Sequence, residues 1–211
     1  MMSKRRLFRD FKISRSCSLS MNNYRDYLPY LEKDFNNRCG YCNTSKDYLS
    51  TNLQIDHFIP RKVFKHYDKT LDNNYSNLVY CCPKCNSAKR AKHAGDKYEN
   101  TMFYDPGIID FNEVFYLQDG IILSDDFVGK NMIKELKLYR PIHQISWIVS
   151  KLDSLCEVVS KTNRLDVKVK EKILSELLIQ YRYYSKLFLS TYKKSEQEDI
   201  KIIEILDKGE I

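Results

Sequence analysis

Residues 39–42 read Cys-Gly-Tyr-Cys and residues 82–85 read Cys-Pro-Lys-Cys, and these two motifs are the strongest structural signal in the chain. Each motif offers two thiolates from one tight turn, at the separation that a tetrahedral zinc site requires. Two such pairs among seven cysteines predict a structural zinc site with the ligands Cys39, Cys42, Cys82 and Cys85. Cys81 stays an alternative to Cys82, although three intervening residues are the less usual ligand spacing.

The interval between the two cysteine pairs is longer than in a simple zinc ribbon. A ribbon separates its pairs by about 15–20 residues, whereas 39 residues intervene here. The inserted segment contains Asp56 and His57, followed by Asn77, and Asn86 comes directly after the last cysteine. Residues 53–59 alternate apolar and polar positions, which predicts a half-buried strand that carries Asp56 and His57.

Composition places the chain among soluble globular proteins. It has 211 residues, 43% of them hydrophobic and 30% charged, which suffices for one domain or one domain with an extension. No apolar run approaches the ~18 residues of a membrane span, and the basic N-terminus lacks the apolar stretch of a secretory signal. We therefore expect a cytoplasmic protein, in which cysteines act as ligands or buried thiols rather than as disulfides.

The positive charge is concentrated in the first half of the chain. Residues 1–100 carry 19 Lys and Arg against 10 Asp and Glu, whereas residues 101–211 carry 16 against 18. A local positive excess suits a polyanion such as nucleic acid, because phosphates bound by Lys and Arg release their counterions. The sequence therefore favours a nucleic-acid partner for the first half.

Three regions differ in the character of their sequence. Residues 1–22 form a basic N-terminal arm, and residues 23–105 hold the cysteine motifs and their insert. Residues 106–211 form a third region, whose sequence pattern differs from both. In that last region Asp119-Gly120 lies between two apolar runs, which is a strong signal for a β-hairpin turn. Amphipathic helical segments follow. We therefore predict an α+β fold with a β-hairpin and a mainly α-helical C-terminal region.

Local signals predict the helix ends. Pro29 suits the first turn of a short helix before the first cysteine pair, and Gly95 suits the end of a helix after the second pair. Pro141 can begin the first long helix of the C-terminal region, and a second long helix follows it. Ser195 and Glu198 form a capping box, which predicts that a last helix begins there.

The segment from residue 39 to residue 89 resembles the HNH endonuclease family, the ββα-metal nucleases. The resemblance rests on CGYC, IDHFIP and NNYSNLVYCCPKCNSAK, which supply the ordered string CxxC, DHxxP, NL, CxxCN, K. The third signature position, often His in that family, is Asn86 here, as in a well-populated branch. The resemblance implies a ββα core stapled by the zinc site, and a metal-dependent endonuclease that hydrolyses DNA phosphodiester bonds.

The resemblance also implies a role for each matched residue. His57 would be the general base, Asp56 and Asn86 would bind the catalytic Mg²⁺ or Mn²⁺, and Asn77 would hold the His57 loop in place. General chemistry agrees, because an imidazole with a pKa of about 6.5 can take a proton at neutral pH. Carboxylate and amide oxygens prefer Mg²⁺ or Mn²⁺ to Zn²⁺, so two metals with two tasks are expected.

Several alternatives stay open from the residues themselves. Asn73 and Asn74 compete with Asn77, and Asn86 is also a preferred helix cap. Adjacent strand residues point to opposite faces, so Asp56 and His57 share one site only if the strand bends or the ligand approaches along its edge. The basic residues after the second cysteine pair are expected to contact phosphates, although a charge run also suits a solvated face: Lys89, Arg90 and Lys92. The other histidines, His66, His93 and His143, have no matching spacing and are assigned no chemistry.

Two functional classes fit the sequence. The first is the endonuclease, and the second is a zinc-stabilised nucleic-acid-binding module without catalysis. The joint presence of Asp56, His57 and Asn86 favours the enzyme, because a binding module needs none of the three. The overall layout resembles the small nucleases of Septu-type antiphage defence, which implies an ATPase protein partner. The oligomeric state is left open.

Overall fold

The computed structural model of the chain describes residues 4–49, 51–92 and 103–207, and within 192–207 the backbone alone. Two compact units make up the chain, Met1–His143 and Gln144–Ile211. The first unit therefore holds the basic arm, the cysteine motifs and the hairpin together.

The centre of the first unit is a two-stranded antiparallel sheet followed by a helix. Strand β2, Gln54–His57, pairs with β3, Leu78–Cys81, so that Asp56 lies opposite Val79 and His57 opposite Leu78. Strand β2 was predicted from the alternation of apolar and polar residues. Helix α3 covers Pro83–Lys89 and has Cys82 as its N-cap. It begins earlier than predicted because Pro83 fits the first turn. It ends at Lys89, before the predicted stop at Gly95, because Arg90 leaves the helical conformation with a φ of 49°; Gly95 itself lies outside the described residues.

Short elements surround this core. Helix α1 covers Leu28–Asp34 with proline in its first turn, as predicted. Helix α2 covers Arg61–Phe64, and 3₁₀ turns cover Lys69–Asp72 and Tyr75–Asn77 between the two strands. The core consists of large side chains from all these parts, among them Tyr27, Leu31, Phe35, Tyr41 and Tyr80.

The N-terminal arm takes part in a second sheet. Strand β1, Arg6–Leu7, pairs antiparallel with β4, Tyr116–Gln118, and β4 pairs with β5, Ile121–Leu123. The predicted hairpin is confirmed: Asp119 and Gly120 have φ angles of 52° and 79°, as a two-residue hairpin turn requires. Pairing of β1 with β4 joins the start of the chain to the region after residue 105.

Four helices follow within the described residues after position 103. They are α4, Phe111–Val114, α5, Phe127–Glu135, α6, Pro141–Lys161, and α7, Val167–Asp207. Pro141 begins α6 as predicted. The prediction of a separate helix from Ser195 is wrong, because α7 continues through that residue. No glycine or proline interrupts the segment from 167 to 207, and a capping-box pair also fits inside a helix that nothing breaks.

The architecture confirms the α+β class, with a ββα core and a mainly helical C-terminal region. Within the described ranges, none of the helices combines the length and the apolar character that crossing a bilayer requires.

Candidate active site

Four cysteine sulfurs form one buried cluster. The Sγ atoms of Cys39, Cys42, Cys82 and Cys85 all lie within 4.8 Å of one another. The distance between Sγ of Cys42 and Sγ of Cys82 is 3.8 Å, and a tetrahedral ion with Zn–S bonds of about 2.3 Å separates its sulfurs by about 3.8 Å. The donor set therefore fits a structural zinc ion. The cluster contains Cys82 and not Cys81, which settles the alternative left open above.

The two cysteine turns are built to hold thiolates. The backbone N–H of Cys42 points to Sγ of Cys39 at 3.5 Å, and the N–H of Cys85 points to Sγ of Cys82 at 3.4 Å. Gly40 donates its N–H to the Tyr80 carbonyl at 2.8 Å, which ties the first turn to β3. A Cβ atom at residue 40 would lie 2.7 Å from the Phe35 ring, so this close packing requires glycine.

A buried arginine lies against the first cysteine turn. Arg9 donates from Nη2 to the Gly40 carbonyl at 2.7 Å, and its guanidinium lies over the Phe8 and Phe111 rings. Burial lowers the pKa of Arg9 to about 10, while the negative charges of Cys39, Asp110 and Cys42 oppose that shift. Nε of Arg9 has no hydrogen-bond partner within the described part of the chain. The cysteine cluster is thus next to a buried positive charge.

Asp56 lies inside the core and pairs with a lysine. It is 7% exposed. Its Oδ2 accepts a hydrogen bond from the Tyr41 hydroxyl at 2.8 Å and lies 3.0 Å from Nζ of Lys89. Burial raises the pKa of Asp56, and the Lys89 charge together with the hydrogen bonds opposes that rise. Both contacts fall on the same carboxylate oxygen.

The three basic residues predicted to contact phosphates lie in different environments. Lys89 is 0% exposed, and its Nζ also donates to the His57 carbonyl at 2.9 Å. Arg90 is exposed, and its backbone has a φ of 49°. Lys92 pairs with Glu135 at 2.7 Å. The structure therefore places the ammonium group of Lys89 at Asp56 in the interior, apart from the surface where Arg90 lies.

The His57 imidazole is held on its own side of β2. Its Nε2 lies 2.9 Å from the backbone carbonyl of Asp72 and 3.2 Å from the Asp72 carboxylate. The rings of Tyr24 and Phe64 pack against it, with centroids at 5.0 and 5.8 Å. Burial lowers the pKa of His57, which is 8% exposed, and the hydrogen bond with the Asp72 carbonyl opposes that shift.

Asn77 braces the two loops that flank His57. Its Oδ1 accepts from the N–H of Ile59 at 2.8 Å, and its Nδ2 donates to the carbonyls of Ile59 and Leu71 at 3.2 and 3.1 Å. Ile59 follows His57 by two residues, and Leu71 precedes Asp72. The two nearby alternatives to Asn77 have other contacts. Asn73 donates to the Asn22 carbonyl, and Asn74 caps the following 3₁₀ turn.

Asn86 lies on the side of β2 that α3 covers. Its Nδ2 donates to Oε1 of Gln54 at 2.7 Å. Gln54 and Asp56 are two residues apart on one strand and share a face, and α3 reaches them with Asn86 and Lys89. The structure thus brings Asp56 and Asn86 to the same side of β2, whereas the His57 ring packs with Tyr24 and Phe64. The backbone carbonyl of His57 accepts a hydrogen bond from Nζ of Lys89, which connects His57 to α3.

Further residues lie around this site and were not predicted, among them Tyr24, Tyr41, Arg61 and Asp72. Tyr41 donates to Asp56, the Asp72 carbonyl contacts Nε2 of His57, and Tyr24 packs against the imidazole. Arg61 lies over the Tyr24 ring. Spacing offers no signal for Tyr24, Tyr41 or Asp72. Arg61 directly follows the proline of the DHxxP string, which is the single sequence cue among the four.

A two-stranded sheet and a helix, stapled by four cysteines and carrying a histidine at the end of the first strand, define a zinc-stabilised ββα domain of the nuclease type. The family model described as HNH endonuclease matches residues 39–92. The chain therefore carries an HNH endonuclease domain over that range. Comparison with curated proteins and with solved structures gave no match.

Proposed function

We propose that this chain is a metal-dependent endonuclease that hydrolyses DNA phosphodiester bonds, with His57 as the general base. The observation that carries the proposal is the contact between Nε2 of His57 and the Asp72 carbonyl. A carbonyl oxygen only accepts hydrogen bonds, so the proton of the neutral ring belongs on Nε2. The lone pair of Nδ1 is then the one that takes a proton from water.

The surroundings of His57 favour the neutral, proton-accepting ring. Burial lowers the pKa of His57, so the ring stays unprotonated at neutral pH, as a general base requires. Asn77 supports this arrangement, because it fixes the backbone at Ile59 and at Leu71. We assign Asn77 a positioning role on these contacts.

Asp56 and Asn86 are the residues that would hold the catalytic Mg²⁺ or Mn²⁺. The contacts of Asp56 with Tyr41 and Lys89 use Oδ2, and the contact of Asn86 with Gln54 uses Nδ2. We assign Oδ1 of Asp56 and Oδ1 of Asn86 to the ion, since hard divalent cations prefer oxygen donors. When bound, such an ion neutralises charge on the scissile phosphate and on the leaving oxygen.

Lys89 has a supporting role in this proposal. A buried carboxylate is ionised at neutral pH only when positive charge or hydrogen bonds compensate its desolvation. The Lys89 ammonium at 3.0 Å supplies that charge. Lys89 therefore keeps Asp56 ionised, and we do not assign it a phosphate contact. We propose phosphate contacts for Arg90 and Lys92.

The same ion pair also favours a second candidate function. An internal ammonium already neutralises Asp56, as a divalent ion would in an active nuclease. A zinc-stabilised nucleic-acid-binding module without catalysis would have this arrangement permanently. The two candidates differ in whether added Mg²⁺ has any effect on DNA.

Plasmid nicking separates the two candidates. Purified wild-type chain is incubated with supercoiled plasmid, with and without Mg²⁺ or Mn²⁺, and compared with His57→Ala. His66→Ala is the matched control, because His66 is an exposed histidine of the same unit. We expect nicking by wild type and by the control with added metal, none by His57→Ala, and equal zinc content in all three. Nicking by His57→Ala, or full activity without added metal, would contradict the mechanism.

The biological setting is a further proposal, which rests on the layout of the chain alone. We propose that the chain is the nuclease effector of a bacterial antiphage system and acts in the cytoplasm with an ATPase partner. Cells that express the chain together with an ATPase encoded beside it should then resist phage plating, and His57→Ala should remove the protection. Equal protection by the variant would rule out nuclease action as its cause.

A further inference from the structure

Two arginines lie on one tyrosine ring beside His57. Cζ of Arg25 lies 4.9 Å and Cζ of Arg61 lies 4.6 Å from the centroid of the Tyr24 ring. The same ring packs against the His57 imidazole at 5.0 Å. Residues from two distant parts of the sequence thus place two positive charges on the ring that packs against the proposed base.

The position of Arg61 is fixed by several contacts. Its Nε donates to the Asp72 carboxylate, and Asp72 also contacts Nε2 of His57. The hydrogen bond with Asp72 raises the pKa of Arg61, and the Tyr24 hydroxyl contributes in the same direction. The side chain is nonetheless 48% exposed. Because a guanidinium has five N–H donors, a bond through Nε leaves donors for an external anion.

Arg25 is held by the turn in which it lies. The 3₁₀ turn Tyr24–Tyr27 is capped by Asn23, whose side chain accepts from the N–H of Arg25. Asn73 donates to the Asn22 carbonyl at 2.8 Å, which ties this turn to the loop that carries Asp72. Arg25 itself is exposed. The fold therefore fixes the backbone at Arg25 and the side chain of Arg61, and both residues are open to solvent.

The charge around the ring favours an anion. The exposed residues Lys62 and Lys65 follow Arg61 along the α2 segment and add positive charge. The acidic neighbours are Asp26 next to Arg25 and Asp72, whose carboxylate already contacts Arg61 and lies near Nε2 of His57. An Arg pair with this surplus of positive charge recognises a phosphate by charge-assisted, two-pronged hydrogen bonds.

We propose that Arg25 and Arg61, positioned by Tyr24, form a phosphate-binding subsite that holds the nucleic-acid strand beside His57. This inference deepens the proposed function and rests on it. The ligand is the phosphodiester backbone, so the subsite positions the strand and reads no base. Asp72 has two tasks, because its carbonyl orients the base and its carboxylate holds the arginine that positions the substrate.

Salt-dependent binding tests the subsite directly. A fluorescent DNA 20-mer, and an RNA 20-mer of the same sequence, are titrated with protein at several salt concentrations in buffer without Mg²⁺ or Mn²⁺, and binding is measured by anisotropy. Each phosphate contact contributes about 0.7–0.9 to the slope of log K against log salt. We expect Arg25→Gln and Arg61→Gln each to reduce the slope by about that amount, and the double variant by about twice as much. Slope loss with both strands supports a contact to the shared phosphate, and loss with one alone identifies that strand as the ligand.

Matched variants separate a phosphate contact from a folding defect. Arg164→Gln removes the same charge from an exposed position outside the HNH domain and should leave the slope unchanged. Arg25→Lys and Arg61→Lys keep the charge and should restore the slope, with the melting temperature of the wild type. Unchanged slopes in both Gln variants would overturn the subsite even if the wild type nicks plasmid. Reduced slopes in a chain that nicks no plasmid would support the subsite and refute the nuclease.

Discussion

Replacing Lys89 by methionine removes the positive charge that compensates Asp56 in the core. Methionine has a similar length and no charge, so the change leaves the packing of α3 on β2 largely intact. What is lost is the ammonium at 3.0 Å from Asp56 and 2.9 Å from the His57 carbonyl. Asp56 keeps the Tyr41 hydroxyl as a hydrogen-bond donor, which cannot neutralise its charge.

The expected loss of stability is large because both Lys89 and Asp56 are buried. Lys89 is 0% and Asp56 is 7% exposed, and breaking such a pair from one side costs about 3–5 kcal/mol. For a chain of this length, 1 kcal/mol shifts the melting temperature by about 2–4 °C, so Lys89→Met should melt about 6–20 °C lower. An exposed lysine that contacts DNA would change the melting temperature by little.

The loss of stability in Lys89→Met also depends on pH. Burial already raises the pKa of Asp56 in the folded chain above its value in the unfolded chain, and loss of Lys89 raises it further. Folded protein then binds a proton that unfolded protein releases, so stability falls as pH rises through the window above about 4. The melting temperature of Lys89→Met should therefore approach that of the wild type towards pH 4.5 and fall furthest below it at pH 7.5.

Differential scanning fluorimetry at the two pH values measures this effect. Lys65→Met is the control, because Lys65 is exposed and its loss should not shift the transition. The double variant Asp56→Asn with Lys89→Met has no uncompensated charge, so it should recover part of the loss. A Lys89→Met protein that melts with the wild type at pH 7.5 would refute the interior ion pair and return Lys89 to the surface.

Three further predictions concern other parts of the domain. Cys42→Ser should lower zinc content and melting temperature, whereas Cys81→Ser should keep its zinc in elemental analysis; zinc loss from Cys81→Ser would contradict the ligand set. Arg90 has a φ of 49°, so Arg90→Gly should raise the free energy of unfolding by about 1 kcal/mol in urea, with no gain in the Arg90→Ala control. Burial lowers the pKa of His57 below the ordinary histidine value of about 6.5. Cleavage should therefore persist below pH 6.5 and should fall at lower pH, as the ring is protonated. A loss of cleavage that begins above pH 6.5 would refute the assignment of His57 as the base.

The zinc site and the ββα core could be predicted because their signals are local in sequence. A CxxC turn presents both sulfurs whatever surrounds it, and alternation of apolar and polar residues marks a strand. The hairpin turn at Asp119-Gly120 follows the same rule. In each case a few consecutive residues determine the conformation.

The position of Lys89 could not be predicted in this way. Lys89, Arg90 and Lys92 form a charge run in the sequence, which is typical of a solvated face. Lys89 follows Asn86 by three residues, so the helical period brings both to the face that covers β2. Burial there depends on Asp56 and Tyr41, which lie far away in the chain and offer the charge and the hydrogen bond that a buried lysine needs.

The surroundings of His57 were missed for a related reason. Tyr24 lies before His57 and Asp72 lies after it, each at a greater distance in sequence than one helix or strand spans. Both contact the imidazole from irregular segments of the chain. No periodicity links residues that contact one another across irregular segments. Contacts that reach a side chain from such irregular segments can be found only from the coordinates.

The buried guanidinium of Arg9 links the zinc site to the N-terminal strand β1. Four thiolates and one Zn²⁺ would carry a net charge of two minus, and this charge would compensate the desolvation of Arg9 over the phenylalanine rings. Neutral thiols without the ion would offer no such compensation. We therefore expect that chelation of the metal weakens the docking of β1, Arg6–Leu7, and makes this strand more accessible to proteases.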